Sequence, residues 1–199
     1  MLTLHTADAS PGTAVLVEGA HIAAVGPYER LAAGHPDARL RRWPGILTPG
    51  LLNPYGPELL EQAYHPDPRE ADRLGSEPVF GERARALLGA GPSARAASAR
   101  RGVQRMLAHG TVAVAGELRT REALDAVRRA GLARAGRPAA LPGPAALSPV
   151  PLVLLPGLGA GRPARFAVFD VPDRDALVRD GAATCVVTVV GGRLVYRGR

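Results

Sequence analysis

The chain has 199 residues and a net charge of +7, with a single cysteine and no lysine, all 25 basic residues being arginine. That length buries a real core in one or two domains, and a lone Cys185 inside an apolar run excludes a disulfide framework and a cysteine metal cluster. There is no stretch of 18 apolar residues to span a membrane and no basic segment leading into an apolar core at the N-terminus. No signal peptide and no membrane partner are therefore expected, and the protein is read as cytoplasmic.

The positive charge is local. Residues 81–140 hold 12 arginines against 4 acidic residues, so the remainder of the chain is close to neutral. A basic surface that reads nucleic acid is interleaved with aromatics or sits on a reading motif, and 81–140 has at most one aromatic residue. We expect a solvated, arginine-rich helical surface and no nucleic-acid partner.

In chain order, residues 2–6 and 14–18 alternate as strands, and Glu18-Gly19-Ala20 turns into a third strand at 21–25. Gly26-Pro27 breaks that strand, and 28–34 reads as a short helix closed by Gly34. Residues 39–43 and 46–48 read as extended, with Pro44-Gly45 turning the chain between them. From Pro49 to residue 80 the chain is rich in proline and acids, with one modest helix at 57–64.

Helical periodicity returns at 82–89 and at 94–109, where Ala99, Val103, Met106, Leu107 and Gly110 share a face. Thr111–Val114 is a buried-strand candidate, and Thr120 is the N-cap of a helix over 121–131 with Leu124, Val127 and Gly131 inward. Arg121–Asp125 and Asp125–Arg129 are expected as i,i+4 pairs on its outer face. Residues 136–163 are Pro- and Gly-rich and read as irregular apart from an extended piece at 150–155. The chain then gives a strand at 165–170, a helix at 173–180 and two strands joined at Gly191-Gly192, a strong two-residue hairpin signal.

The step Pro49-Gly50-Leu51-Leu52-Asn53, the stretch Gln104-Arg105-Met106-Leu107-Ala108-His109-Gly110-Thr111-Val112, and the two strand-rich arms together resemble the amidohydrolase superfamily. The likeness is to its imidazolonepropionase-like and aminodeoxyfutalosine-deaminase-like members. The resemblance implies that the first and last segments fold together beside a metal-bearing (β/α)8 barrel performing metal-assisted hydrolysis of non-peptide C–N bonds. It also implies a metal-binding His-x-His directly after the Pro-Gly step. In this sequence those two places hold Tyr55 and Pro57. Neither a proline nor a neutral phenol replaces an imidazole nitrogen as a Zn²⁺ or Fe²⁺ donor. The stretch 51–163 is also short, where a complete barrel takes about 250 residues.

The expected fold is thus mixed α/β. A composite β-sandwich of residues 1–50 with 164–199 carries a degenerate partial (β/α) barrel remnant at 51–163, whose Pro/Gly-rich linker is 136–163. No catalytic residue, metal ligand or cofactor is assigned. His109 is read as serving the loop into its strand, and His65-Pro66-Asp67-Pro68 with Glu70 and Asp72 as a solvated connector. Gly157–Gly161 makes a weak phosphate loop because no complete βαβ unit precedes it. Ser76, Ser93, Ser98 and Ser148 lack a nucleophile-elbow context, and His5 and His21 read as ordinary sheet residues. Two functions remain open. One is a non-catalytic accessory or binding protein whose partner is a second copy or a related enzyme, docked through an apolar stripe of Val103, Met106, Leu107, Leu124 and Val127. The other is a hydrolase or small-molecule-binding enzyme with a site rebuilt around His65, Asp67 and His109.

Overall fold

The computed structural model describes residues 1–141 and 143–198. The N-terminal arm runs β1 (Leu2–Ala7), β2 (Ala14–Glu18), β3 (His21–Gly26), α1 (Tyr28–Gly34), β4 (Arg39–Trp43), β5 (Ile46–Thr48) and β6 (Leu51–Asn53). A π-helical turn (Glu58–Gln62) and a 3₁₀ turn (Pro68–Glu70) then precede α2 (Ala71–Leu74), α3 (Gly81–Leu88), α4 (Pro92–Ala108) and β7 (Thr111–Ala115). After α5 (Arg121–Ala130) come β8 (Ala133–Ala135), β9 (Val153–Leu154), β10 (Arg165–Phe169), α6 (Arg174–Asp180), β11 (Cys185–Val190) and β12 (Arg193–Arg197). The chain forms two compact units, one of residues 1–52, 107–112 and 150–199, the other of 53–106 and 113–149.

The first unit is the composite β-sandwich. One sheet has the order β3-β2-β1-β4, the other β12-β11-β10-β5. The second sheet joins the two ends of the chain, because β5 lies antiparallel to β10 with Ala167 opposite Thr48 and Phe169 opposite Ile46. Side chains from both arms fill the space between the sheets: Val15, Val17, Ile22 and Trp43 from one, Phe166, Val168, Val187 and Val189 from the other. The apolar face of each sheet is covered by the other sheet.

Backbone hydrogen bonds stitch the arms again, since Ile22 N–H donates to the Arg162 carbonyl at 2.8 Å and Ala164 N–H to that of Ala20 at 2.8 Å. The β11–β12 hairpin turns on Gly191 (φ 57°) and Gly192 (φ 72°), the left-handed pair that such a turn requires. A Cβ at Gly192 would lie 1.9 Å from the Gly19 carbonyl oxygen, so the tip has no space for any other residue. His5 is buried in this sandwich, where its Nδ1 accepts from the Trp43 indole N–H at 3.2 Å. In the same unit β6 pairs with β9, Leu51 opposite Leu154. Leu51 N–H also donates to the Gly110 carbonyl at 2.9 Å.

The second unit is mainly helical, with β7 and β8 parallel, Ala113 opposite Ala133. No closed barrel is present among the described residues. The chain at 57–64 is a single π turn, shown by Ala63 N–H bonding the Glu58 carbonyl at 2.9 Å. Helix α5 departs from expectation in its facing. Ala123, Ala126 and Val127 are buried while Leu124 sits half-exposed at the margin, because the alanines let the helix pack closely on that side. Gly131 is not part of the inner face; at φ 72° it is the left-handed C-cap. Asp125 takes Arg128 at 2.8 Å and Arg121 at 3.8 Å, in place of Arg129. The expected docking stripe is interior, with Val103, Met106, Leu107 and Val127 all buried.

Truncating Phe166 to Ala is expected to cost about 3–5 kcal/mol, the usual price of emptying a fully buried aromatic site. Deleting residues 182–199 removes Val187 and Val189 from the shared core and should abolish cooperative unfolding of the N-terminal arm as well. Urea titration followed by circular dichroism checks both, and a truncated chain that kept a sharp transition would contradict the shared core.

Candidate functional site

The segment after β6 is built by its own side chains. Asn53 Oδ1 accepts from Tyr55 N–H at 2.9 Å, closing an Asx turn that sends the chain sharply off the strand end. The other side of the same amide donates to the Ala146 carbonyl at 3.0 Å and to that of Leu147 at 3.4 Å. Tyr55 is buried, and its hydroxyl donates to the Gly143 carbonyl. Asn53 and Tyr55 thereby fasten the loop around 143–147 to the end of the strand.

Gly56 is needed between Tyr55 and Pro57, since a Cβ there would stand 2.6 Å from the Ala115 carbonyl oxygen. Pro57 in turn lies against Gly116, where a Cβ would fall 2.6 Å from the proline Cδ. Tyr55 and Pro57, where the resemblance would put a His-x-His, are a phenol already bonded to a carbonyl and a ring with no donor atom. These residues do not fit a catalytic metal ion. Among the described residues no group of three or more His, Cys, Asp and Glu side chains is placed to hold one.

A cleft of about 430 Å³ opens beyond Pro57 and Gly116, lined also by Glu58, Glu61, Gln62 and Arg137. Its carboxylates are committed to partners. Both Glu58 carboxylate oxygens accept from a single guanidinium nitrogen, Nη2 of Arg137. Glu61 Oε1 accepts from the N–H groups of Arg119 at 2.7 Å and Thr120 at 2.6 Å and from the Thr120 hydroxyl at 2.9 Å. A side-chain anion thus takes the two N–H groups just before α5 and holds the capping threonine, whose own oxygen accepts from Ala123 N–H at 3.4 Å.

The proline-framed segment expected to be a solvated connector is so only from Asp67 onward, since His65 and Pro66 are buried. His65 is fully buried, with Nε2 bonded to the Leu59 carbonyl at 2.7 Å and Nδ1 without a partner. The close fit uses Gly102 of α4, where a Cβ would come 2.7 Å from His65 Nε2. Ser98 Oγ accepts from the His65 backbone N–H at 2.9 Å, and Arg101 Nε donates to its carbonyl at 2.7 Å. The serine thus meets the backbone rather than the ring, and the pair is not a nucleophile and its base.

Asp67 caps the 3₁₀ turn: its side chain accepts from Arg69 N–H, and Glu70 reaches back to its own N–H at 2.9 Å, a capping box. Glu70 also accepts from the Tyr64 hydroxyl at 2.7 Å; the Asp67 N–H, and next the Tyr64 hydroxyl, hold its carboxyl below the usual range. Burial, then the Glu70 carboxylate, pushes the Tyr64 phenol up. Asp72 lies exposed on α2. His109 is half-buried and belongs to the other unit, so His65 and Asp67 share a unit without it. Gly157–Gly161 leads into β10 rather than a helix, which removes the phosphate-loop reading.

Residues 14–38, the β2–β3–α1 stretch, match the family model of the imidazolonepropionase-like composite domain of bacteria. The resemblance to the amidohydrolases holds there. Two solved structures are similar in outline. Guanine deaminase from Bradyrhizobium japonicum is 16% identical with a TM-score of 0.41, the match covering 62% of this chain and 27% of that one. Ochratoxinase from A. niger is 17% identical with a TM-score of 0.43, the match covering 70% and 32%. The chain thus spans about a third or less of each of these proteins. No curated protein matches the sequence. Among the described residues no helix is long and apolar enough to cross a membrane.

Burial holds the His65 ring near pKa 4, with Arg105 and Arg101 acting in the same direction against the bond to the Leu59 carbonyl. His5 is likewise lowered to about 4, by burial and then by Arg41. In the unfolded chain each ring takes up a proton near its ordinary 6.5. The stability contributed by keeping them neutral is complete above pH 6.5 and is lost as pH falls toward 4, by about 3 kcal/mol per ring. Urea midpoints across that window should fall steeply in the native protein and less steeply in His65→Gln. Equal slopes in the two proteins would contradict the assignment to His65.

Proposed function

We propose that this protein is a non-catalytic relative of the imidazolonepropionase-like amidohydrolases and acts as a binding or accessory protein. Its two parts are a composite β-domain of residues 1–50 with 164–199 and a partial-barrel remnant of residues 51–163. The observation that carries the reading is the state of Tyr55. Its phenol stands where the family places a metal-binding imidazole, and it is used instead to bond the Gly143 carbonyl beside the Asn53 latch. A strand end built to seat a metal-bound hydroxide leaves that position open to the reacting groups. Here it is closed by the protein's own loop, and Glu58 and Glu61 are occupied with structural partners.

The test is metal loading. Protein incubated with excess Zn²⁺ and then dialysed is expected to retain well under about a tenth of an equivalent, as measured by elemental analysis. The same preparation should hydrolyse no cyclic amide or amidine substrate of the family above the buffer rate. Retention near one ion per chain, lost when His65 or Asp67 is replaced, would overturn the proposal in favour of a rebuilt metal site.

A further inference from the structure

Helices α4 and α5 both contribute to an open cleft of about 400 Å³ in the second unit. On α4 the lining residues Ser93, Ala96 and Arg100 recur at i, i+3 and i+7; on α5 Arg121, Asp125 and Arg129 recur at i, i+4 and i+8. The space exists because Ala96, and Ala126 opposite it, put no bulk between the two rows. Two acids share the lining, and each already has an arginine partner outside it. Glu122 is paired with Arg95 at 3.2 Å, and Asp125 with Arg128 at 2.8 Å. Neither of those arginines lines the cleft. Arg100 and Arg129 have no carboxylate partner among the described residues, and Arg121, its side chain almost wholly exposed, reaches Asp125 at 3.8 Å and shares it with Arg128.

We infer that this cleft is a binding site for a small phosphomonoester with a hydroxyl-bearing body. Three guanidinium groups at the rim of one concave surface suit a doubly charged phosphate, which a planar arginine fork binds through two parallel hydrogen bonds. The hydroxyl-bearing end has Ser93 as donor or acceptor, and the second oxygen of the Glu122 carboxylate, which Arg95 leaves free, as a further acceptor. The cleft lies toward the small end of the ~300–1,000 Å³ typical of ligand pockets, which suits a molecule of sugar-phosphate size. It has no aromatic side chain on which a base could stack. This inference does not rest on the proposed loss of catalysis, since the cleft uses none of the residues of the Tyr55 latch.

The experiment is calorimetric titration of the full chain at low salt with a hexose 6-phosphate, the free hexose, inorganic phosphate and a short single-stranded oligonucleotide. The hexose phosphate is expected to bind at sub-millimolar concentration, and tighter than inorganic phosphate or the free sugar. The double variant Arg100→Gln/Arg129→Gln should weaken it by about tenfold or more. Ala96→Leu, which fills the cleft and changes no charge, should weaken it comparably, whereas Arg134→Gln outside the cleft should leave it unchanged. Both arginines are exposed, so the double variant should retain the native circular dichroism spectrum. Inorganic phosphate binding as tightly as the ester, binding of the oligonucleotide alone, or Ala96→Leu binding like the native protein would each overturn the inference.

Discussion

The antiparallel pairing of β5 with β10 is the interaction on which the first unit depends. It places Ile46, Leu47 and Thr48 beside Phe169, Val168 and Ala167, and so makes one sheet out of residues that are more than a hundred positions apart. Without it the N-terminal arm would present Val15, Val17 and Ile22 to water, and the C-terminal arm would do the same with Phe166, Val187 and Val189. Hydrophobic burial therefore enforces the pairing, while the close approach of Gly192 to Gly19 fixes how the hairpin tip meets the opposite sheet. The buried Trp43–His5 hydrogen bond follows the matching rule for polar positions in this unit, a buried donor meeting a buried acceptor.

In the second unit the governing constraint is the satisfaction of polar groups after β6. Asn53 and Tyr55 are buried polar side chains, and burying them without partners would be costly. They find partners in the backbone of a loop about ninety residues later in the chain. A residue that coordinates a metal spends its lone pair on the ion; these two use their polar atoms to hold protein. The strand end and its loop are consequently a structural joint, which is the physical content of the proposed loss of catalysis.

Much of the β-sandwich is legible in the sequence because its signals are local. Alternation gives β1, β2 and β3, single glycines and one glycine pair give the turns, and the apolar run at 185–190 is bounded by its hairpin. The second unit is less legible for the opposite reason. His65 sits in a proline-framed, acidic stretch that has the composition of an exposed loop, yet Ser98, Arg101 and Gly102 on α4 bury it. No window of sequence around residue 65 contains that information. Leu124 does not mark the inner face of α5, because a helix rich in alanine can turn its small residues inward. The α4–α5 cleft was invisible as well, since it depends on which arginines are matched by acids from a neighbouring turn.

The β5–β10 pairing also has a consequence for how such a chain can vary. In polymer terms everything between the two strands is one loop closed by a sheet, and the entropy of closing a long loop grows only with the logarithm of its length. Doubling or halving the intervening chain changes that cost by only about 0.6 kcal/mol. The sandwich is therefore nearly indifferent to how many residues lie between its halves, provided that those residues bury their own apolar surface. A domain of this kind can stay folded while the segment it brackets is lengthened, shortened or stripped of its chemistry.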